Sequence, residues 1–116
     1  MHAASDLLFR TLGDPTRRGL FERLARGEAL TVRALTERSG VSQPAVSRHL
    51  GVLRRAGLVE ARPAGRETHY TARPQGLAPL LGWMEIYAAF WEQRFDALEN
   101  LLKGWINDRC RRPNHR

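Results

Sequence analysis

Three polar side chains within six residues have the chemistry to read nucleic-acid bases. Gln43, Ser47 and Arg48 supply an amide, a hydroxyl and a guanidinium group. In the major groove of a DNA duplex, Gln bonds adenine bidentately, Arg bonds guanine, and Ser bonds either a base or a phosphate. His49, the next residue, can bond a phosphate or support the base contacts. The stretch therefore has the composition of a DNA-reading surface.

Positive charge is concentrated around this stretch. The 116 residues include 19 basic and 12 acidic side chains, which gives a formal net charge of +7. Residues 31–75 hold eight Arg against three Glu, and the last eight residues hold four Arg and no acid. This distribution favours a polyanionic partner, with nucleic acid as the first candidate and an anionic membrane surface as the second.

A capped helix is predicted to hold the polar side chains at the surface. Ser42 is its N-cap, and Pro44 is tolerated in its first turn. Val46, Leu50 and Leu53 recur at helical spacing and form a stripe that we expect to be buried. The polar residues then face outward, where they can enter a major groove wide enough for one helix.

Shorter helices precede this one. Asp14 and Pro15 start a helix that is predicted to end near residue 25, because Asp accepts bonds from first-turn N–H groups and Pro lacks one of them. Thr31 caps the next helix, over residues 32–39, and Gly40 makes the tight turn that follows. Helix, turn and helix together form a predicted helix-turn-helix.

Two short strands, 58–62 and 67–71, are predicted after the helix-turn-helix, joined by the turn-rich segment 63–66. A hairpin at this place is typical of the wing of a winged helix-turn-helix. Arg62 and Arg66 would reach adjacent phosphates or the minor groove. The alternative is a solvated hairpin tip whose Arg side chains pair with neighbouring Glu residues.

The predicted fold class is therefore mainly α with a small β-hairpin. We expect one domain over residues 1–108, with the helix-turn-helix at 31–56, the wing at 58–71 and a dimerisation helix at 76–108, followed by a disordered basic tail at 109–116.

Arg54, near the end of the second helix of the motif, contacts the DNA backbone or complements the helix dipole. The predicted DNA-binding residues are Ser42, Gln43, Ser47, Arg48, His49, Arg54, Arg62 and Arg66.

The predicted last helix carries an apolar stripe suited to pairing with another helix. Apolar residues recur every seven positions from Leu77 to Trp105, which is typical of packing against a second long helix. At about 1.5 Å per residue the helix would be roughly 50 Å long, too long for one small domain to cover, so a symmetric dimer is expected. The alternative is ordinary core packing. The predicted dimer-interface residues are Leu8, Leu77, Met84, Tyr87, Trp91, Phe95, Leu98, Leu102 and Trp105.

Three motifs resemble the ArsR/SmtB family of bacterial winged-helix repressors. They are Leu12-Gly13-Asp14-Pro15-Thr16-Arg17-Arg18, Val41-Ser42-Gln43-Pro44-Ala45-Val46-Ser47-Arg48-His49-Leu50 and Leu53-Arg54-Arg55-Ala56-Gly57-Leu58-Val59. The resemblance covers residues from about 6 to 102. It implies a homodimer, formed largely by the first and last helices, that binds pseudo-palindromic operator DNA. It also implies that Gln43, Ser47 and His49 contact DNA, with the wing near Arg66.

The metal sites of that family are not matched. One site needs Cys-x-Cys on the third helix, where residues 32–36 offer no thiolate. The other needs an Asp-x-His pair and further ligands on the last helix, but no His lies between His69 and His115. A transition metal would have too few suitable ligands. We therefore expect no metal and no other cofactor, as in the metal-independent branch.

Other function classes are weighed against a specific DNA regulator. An enzyme is not expected, because Ser47 and His49 point to different sides of a helix and have no acidic partner. A small-molecule inducer bound by the aromatic last helix and an oxidant-responsive Cys110 stay open. A nonspecific architectural DNA binder would show little base preference.

Length and composition also bear on location. No apolar run resembles a signal peptide or approaches the roughly 18 residues of a membrane span. A single Cys excludes a disulfide scaffold within the chain. We expect a cytoplasmic protein that associates with the nucleoid when bound to DNA.

Overall fold

The computed structural model describes residues 3–111, except for the side chains of Trp91 and of residues 107–111. The helices are α1 (Ala3–Leu12), α2 (Pro15–Ala25), α3 (Val32–Thr36), α4 (Gln43–Arg55), α5 (Ala78–Glu85) and α6 (Ala88–Arg111). The strands are β1 (Leu30–Thr31), β2 (Val59–Ala64) and β3 (Glu67–Ala72), and one turn of 3₁₀-helix, Pro74–Leu77, precedes α5. The predicted winged helix-turn-helix, mainly α with a small sheet, is confirmed.

Three side-chain caps determine where helices begin. The side-chain oxygens of Asp14, Thr31 and Ser42 accept hydrogen bonds from backbone N–H groups three residues on, at 2.9, 3.1 and 3.3 Å. Each bond satisfies a first-turn donor that has no partner inside the helix. The α3 helix ends at Thr36, earlier than predicted. In the turn that follows, the backbone N–H and the hydroxyl of Ser39 both donate to the Thr36 carbonyl, at 3.1 and 3.0 Å.

The core lies where α1, α2, α3 and α4 meet the base of the hairpin. The stripe predicted on α4 supplies its centre, since Val46, Leu50 and Leu53 are fully buried. The remaining core residues are Leu8, Leu20, Phe21, Leu24, Leu35, Leu58 and Val59. Burial of large aliphatic side chains contributes about 1.5–3 kcal/mol each, so this cluster holds α4 in place against the rest of the motif.

The sheet contains one strand more than predicted. Strands β2 and β3 form the expected antiparallel hairpin, in which Ala64 pairs with Glu67 across the two-residue loop Gly65-Arg66. Gly65 has a φ of 66°, which suits the first position of a type II′ turn. The two-residue strand β1 pairs with the other edge of β3, so the order is β1-β3-β2. A strand of two residues is too short to show an alternation of apolar and polar residues, so the sequence pattern did not predict it.

Two glycines allow the base of the hairpin and the 3₁₀ turn to approach closely. Gly57 has a φ of 78°, in the left-handed region. A Cβ atom at Gly76 would overlap the carbonyl oxygen of Gly57. Arg73 closes the same corner, because its Nη1 donates to the Gly57 carbonyl at 3.2 Å and its backbone N–H donates to the Leu58 carbonyl at 2.7 Å. This corner fixes where the hairpin ends.

The helix expected over residues 76–108 is divided in the structure. Its first turn is 3₁₀, and α5 is separated from α6 by a turn at Ile86 and Tyr87. The backbone N–H groups of these two residues donate to the carbonyls of Trp83 and Met84, three residues back, at 3.3 and 3.0 Å. Bonds of this type tighten and end an α-helix. The α6 helix continues to Arg111, into the segment expected to be a disordered tail, and residues 112–116 lie outside the described residues.

The chain divides into two units, Met1–Leu81 and Gly82–Arg116, which we call the first and second units. The first unit contains the core, the helix-turn-helix and the wing. The second unit contains the second half of α5 and all of α6. None of the helices in the described residues is both long and apolar enough to cross a membrane.

Candidate nucleic-acid interface

The outer face of α4 carries the predicted base-reading residues. Gln43, Ser47 and Arg48 are all exposed, whereas Val46, Leu50 and Leu53 of the same helix are buried. A helix anchored on one face and polar on the other can enter the major groove without disturbing its own packing. The structure therefore leaves all three side chains accessible, and their contacts with DNA stay a prediction.

The two ends of α4 add further polar groups. Ser42 is exposed, and its Oγ accepts the capping bond from Ala45 N. A hydroxyl that accepts one bond retains its own proton for donation, so Ser42 can cap the helix and still bond a phosphate. Arg54 and Arg55 are exposed in the last turn, where a cation is also favoured by the helix dipole.

His49 is placed differently from the other predicted DNA-binding residues. It is half-buried, and its Nδ1 accepts a hydrogen bond of 3.4 Å from Nε of Arg17 on α2. Arg17 also donates from Nη1 to the Thr11 carbonyl at the end of α1, at 3.1 Å. His49 therefore lies between the outer face of α4 and the helices behind it.

The wing presents two arginines. Arg62 and Arg66 are exposed, the first on the edge strand β2 and the second in the loop at the hairpin tip. Within the described part of the chain, neither forms an ion pair shorter than 4 Å, and Glu60 instead pairs with Arg73 at 3.8 Å. The alternative of a tip held by Arg–Glu pairs thus has no support among the described residues.

Three arginines to which the sequence pattern assigns no role hold the scaffold together. Arg23 on α2 donates from Nη1 and Nη2 to the carbonyls of Leu35 and Ala34, at 3.2 and 3.1 Å. These carbonyls lie in α3 and have few partners within so short a helix. Arg17 and Arg18 similarly bond carbonyls at the end of α1. The position of Arg17 and Arg18 directly after the Asp14-Pro15 helix start was the available signal in the sequence.

Local hydrogen bonds dominate the electrostatics around Asp14. The backbone N–H of Arg17, which donates to the Asp14 carboxylate, lowers the pKa of Asp14 below its ordinary value. Desolvation opposes this effect, while electrostatic interactions with His49 and Arg17 add to it. A depressed pKa means that the capping bond stabilises the fold above the unfolded pKa of Asp and is lost as the pH falls through the lower folded value. At neutral pH the cap is therefore intact.

The residues predicted for the dimer interface fall into three groups. Leu8 is only 2% exposed and belongs to the core, and Leu77 is half-buried against that core. The prediction of Leu8 as an interface residue is corrected, because α1 points it inward and exposes Leu7 and Phe9 instead. The side chain of Trp91 lies outside the described residues. The other predicted side chains are exposed: Met84, Tyr87, Phe95, Leu98, Leu102 and Trp105.

Most of the exposed interface candidates lie on α6, with Met84 on α5 and Tyr87 in the turn between the helices. The turn interrupts the seven-residue repeat after Met84, so the stripe does not run along one helix. Further exposed apolar residues accompany it in the second unit: Trp83, Ile86, Phe90, Leu101 and Ile106. So many exposed large apolar side chains on one small unit are typical of an interaction surface.

Metal ligands are not grouped in the described residues. Those residues contain no cluster of three or more His, Cys, Asp or Glu side chains that could hold a metal ion. Cys110, the single cysteine, has a side chain that lies outside the described part of the structure.

Comparisons with known proteins agree with this geometry. Residues 12–62 match a family model described as a helix-turn-helix domain. The chain is 47% identical over 101 residues to the HTH-type transcriptional regulator Rv2034 of Mycobacterium tuberculosis, covering 87% of this chain and 91% of that protein. It is 40% identical over 104 residues to the arsenical resistance operon repressor of Escherichia coli, covering 89% and 86% of the two chains.

Solved structures give the same result. The ArsR-like transcriptional regulator from Rhodococcus sp. RHA1 superposes with a TM-score of 0.67 at 31% identity, covering 85% of this chain and 92% of that one. The family predicted from the three sequence motifs is thereby confirmed. The chain belongs to the ArsR family of DNA-binding, helix-turn-helix transcriptional regulators.

Proposed function

We propose that the protein is a cytoplasmic repressor that binds a pseudo-palindromic operator as a homodimer. The observation that carries this proposal is the two-sided arrangement of α4. Its buried stripe is fully excluded from solvent, while Gln43, Ser47 and Arg48 are exposed. These residue types discriminate between base pairs in the major groove, which a nonspecific architectural binder does not require.

The apolar surface of the second unit supports the dimer. Phe95 is 60% exposed and Trp105 is 56% exposed, fractions that are costly for large apolar side chains in water. A second copy of the same surface can cover both through a two-fold axis. Such symmetry also presents two recognition helices to half-sites about one turn of DNA apart. The operator should then be an inverted repeat.

Selection of bound fragments from genomic DNA, followed by footprinting, tests the proposal directly. We expect a protected region with an inverted repeat whose half-site centres lie about 10 base pairs, or a multiple of that, apart. Gel filtration with light scattering on the free protein should give the mass of a dimer. Protection that follows no sequence, or a monomeric mass, would contradict the proposal.

Arg66 at the tip of the wing is expected to act through charge alone. The Arg66→Ala variant should weaken binding to operator and unrelated DNA by similar factors, because a phosphate contact carries no base preference. The slope of log K against log salt concentration should decrease by about one unit. Titrations at several salt concentrations measure it, with Arg26→Ala, an exposed arginine at the end of α2, as the control.

Zinc is expected to leave operator binding unchanged. The family's thiolate and imidazole ligands have no counterparts at residues 32–36 or on the last helix, and Zn²⁺ needs about four such ligands in a stable site. Operator titrations in the presence of Zn²⁺ and of a chelator should therefore coincide. A difference between the two curves would show that other residues of the chain bind the metal.

A further inference from the structure

Arg17 joins three elements through one guanidinium group. Its Nη1 donates to the carbonyl of Thr11, a residue only 1% exposed at the end of α1. Its Nε donates to Nδ1 of His49 on α4 at 3.4 Å. Its backbone N–H donates to the Asp14 carboxylate at 2.9 Å. The side chain is thus fixed at both ends, and its use of two different nitrogens requires the planar fork of an arginine.

The bond from Arg17 determines what His49 can do. In a neutral imidazole one ring nitrogen is a donor and the other an acceptor. Because Nδ1 accepts from Arg17, Nε2 must carry the proton, which leaves a single N–H group available for donation. A phosphate oxygen accepts a bond from one N–H group. The usual specific contact with guanine instead uses two donors of one arginine, such as Arg48, on N7 and O6.

We propose that Arg17 is a positioning residue for DNA binding, which orients His49 and fixes its tautomer so that Nε2–H donates to a backbone phosphate. The proposal rests on the function proposed above, because it assumes that α4 enters the groove. It assigns to Arg17 no contact with DNA. In this proposal His49 contacts the DNA backbone and is oriented by Arg17, while the exposed residues of α4 read the bases.

A double-mutant cycle separates this role from a direct phosphate contact. We expect His49→Gln to weaken operator binding by about 3- to 10-fold, a range usual for residues in direct contact. Arg17→Gln should weaken it by a similar factor, and the double variant should bind as His49→Gln alone. Arg17→Lys should behave as Arg17→Gln, since lysine keeps the charge but cannot make both bonds. Additive losses, or full rescue by lysine, would overturn the proposal.

Two measurements keep folding effects apart from this result. Arg18→Gln is the matched control, because Arg18 bonds the Leu12 carbonyl at the same helix end but is exposed and does not contact His49; it should leave affinity within about twofold. In the free protein, ¹⁵N spectra of the His49 ring should show an unprotonated Nδ1 and a protonated Nε2. A protonated Nδ1 in the neutral ring would refute the inference without any DNA present.

The cycle also distinguishes failure of this inference from failure of the proposed function. If His49→Gln binds operator as the wild type does, the positioning role is overturned. Base reading by α4 is tested separately, by the Gln43 and Arg48 variants. If no variant of α4 changes operator affinity, the proposed function itself is wrong.

Discussion

Replacing Arg48 with Ala should cost about 1–3 kcal/mol of operator binding and little binding to unrelated DNA. Arg48 is exposed on the outer face of α4, and a bidentate contact from Arg to guanine discriminates between bases by an amount of this size. Fluorescence anisotropy with operator and scrambled duplexes measures both affinities. The ratio of the two, which is the specificity, should fall by about 5- to 150-fold.

Two further variants make this result interpretable. Gln43→Ala should reduce specificity at a different base pair, because it projects from the first turn of α4 rather than the second. Arg26→Ala removes the same charge from an exposed site directly after α2 and should leave the specificity ratio unchanged. Equal losses on operator and scrambled DNA would mean that Arg48 binds phosphate and does not read bases.

Charged substitutions on α6 should convert the proposed dimer into a monomer. Phe95 and Leu98 are 60% and 51% exposed in the single chain, which makes a large effect on the monomer's own fold unexpected. Buried at an interface, two unpaired carboxylates would each cost several kcal/mol. The Phe95→Glu/Leu98→Glu variant should therefore weaken dimerisation by at least about a hundredfold, as measured by light scattering over a range of concentrations.

The control for this experiment carries the same charges elsewhere on the helix. Gln93 and Asn100 are also exposed on α6 but lie outside the predicted apolar stripe. A Gln93→Glu/Asn100→Glu variant should remain dimeric and bind operator normally. If both variants stay dimeric, the partner surface lies elsewhere, and the exposed residues Leu7 and Phe9 of α1 become the next positions to change.

Local signals in the sequence predict most of the first unit. The Asp14, Thr31 and Ser42 caps each use a bond between residues three apart, so a short window contains both the donor and the acceptor. The stripe of Val46 and Leu50 likewise follows from spacing within one helix. The family was recognisable for the same reason, because its motifs are caps, turns and the residues around them.

Features that depend on distant partners were not predictable in this way. Strand β1 is defined by its pairing with β3, about 40 residues later, and Arg17 was assigned no role because its contact with His49 spans 32 residues. The turn at Ile86 and Tyr87 contains neither Pro nor Gly, so nothing local marks the end of α5. Leu8 was predicted as an interface residue, but its apolar character does not tell whether it is covered by the same chain or by a partner.

Strand β1 has a mechanical consequence for how the protein reads its target. Thr31 pairs with His69 of the wing and also caps α3, so one residue belongs to both the sheet and the helix-turn-helix. Thr31 therefore attaches the wing directly to the helix-turn-helix. An insertion of one residue at this junction would break both attachments at once, whereas lengthening the hairpin tip would change the reach of the wing and leave the angle of α4 untouched.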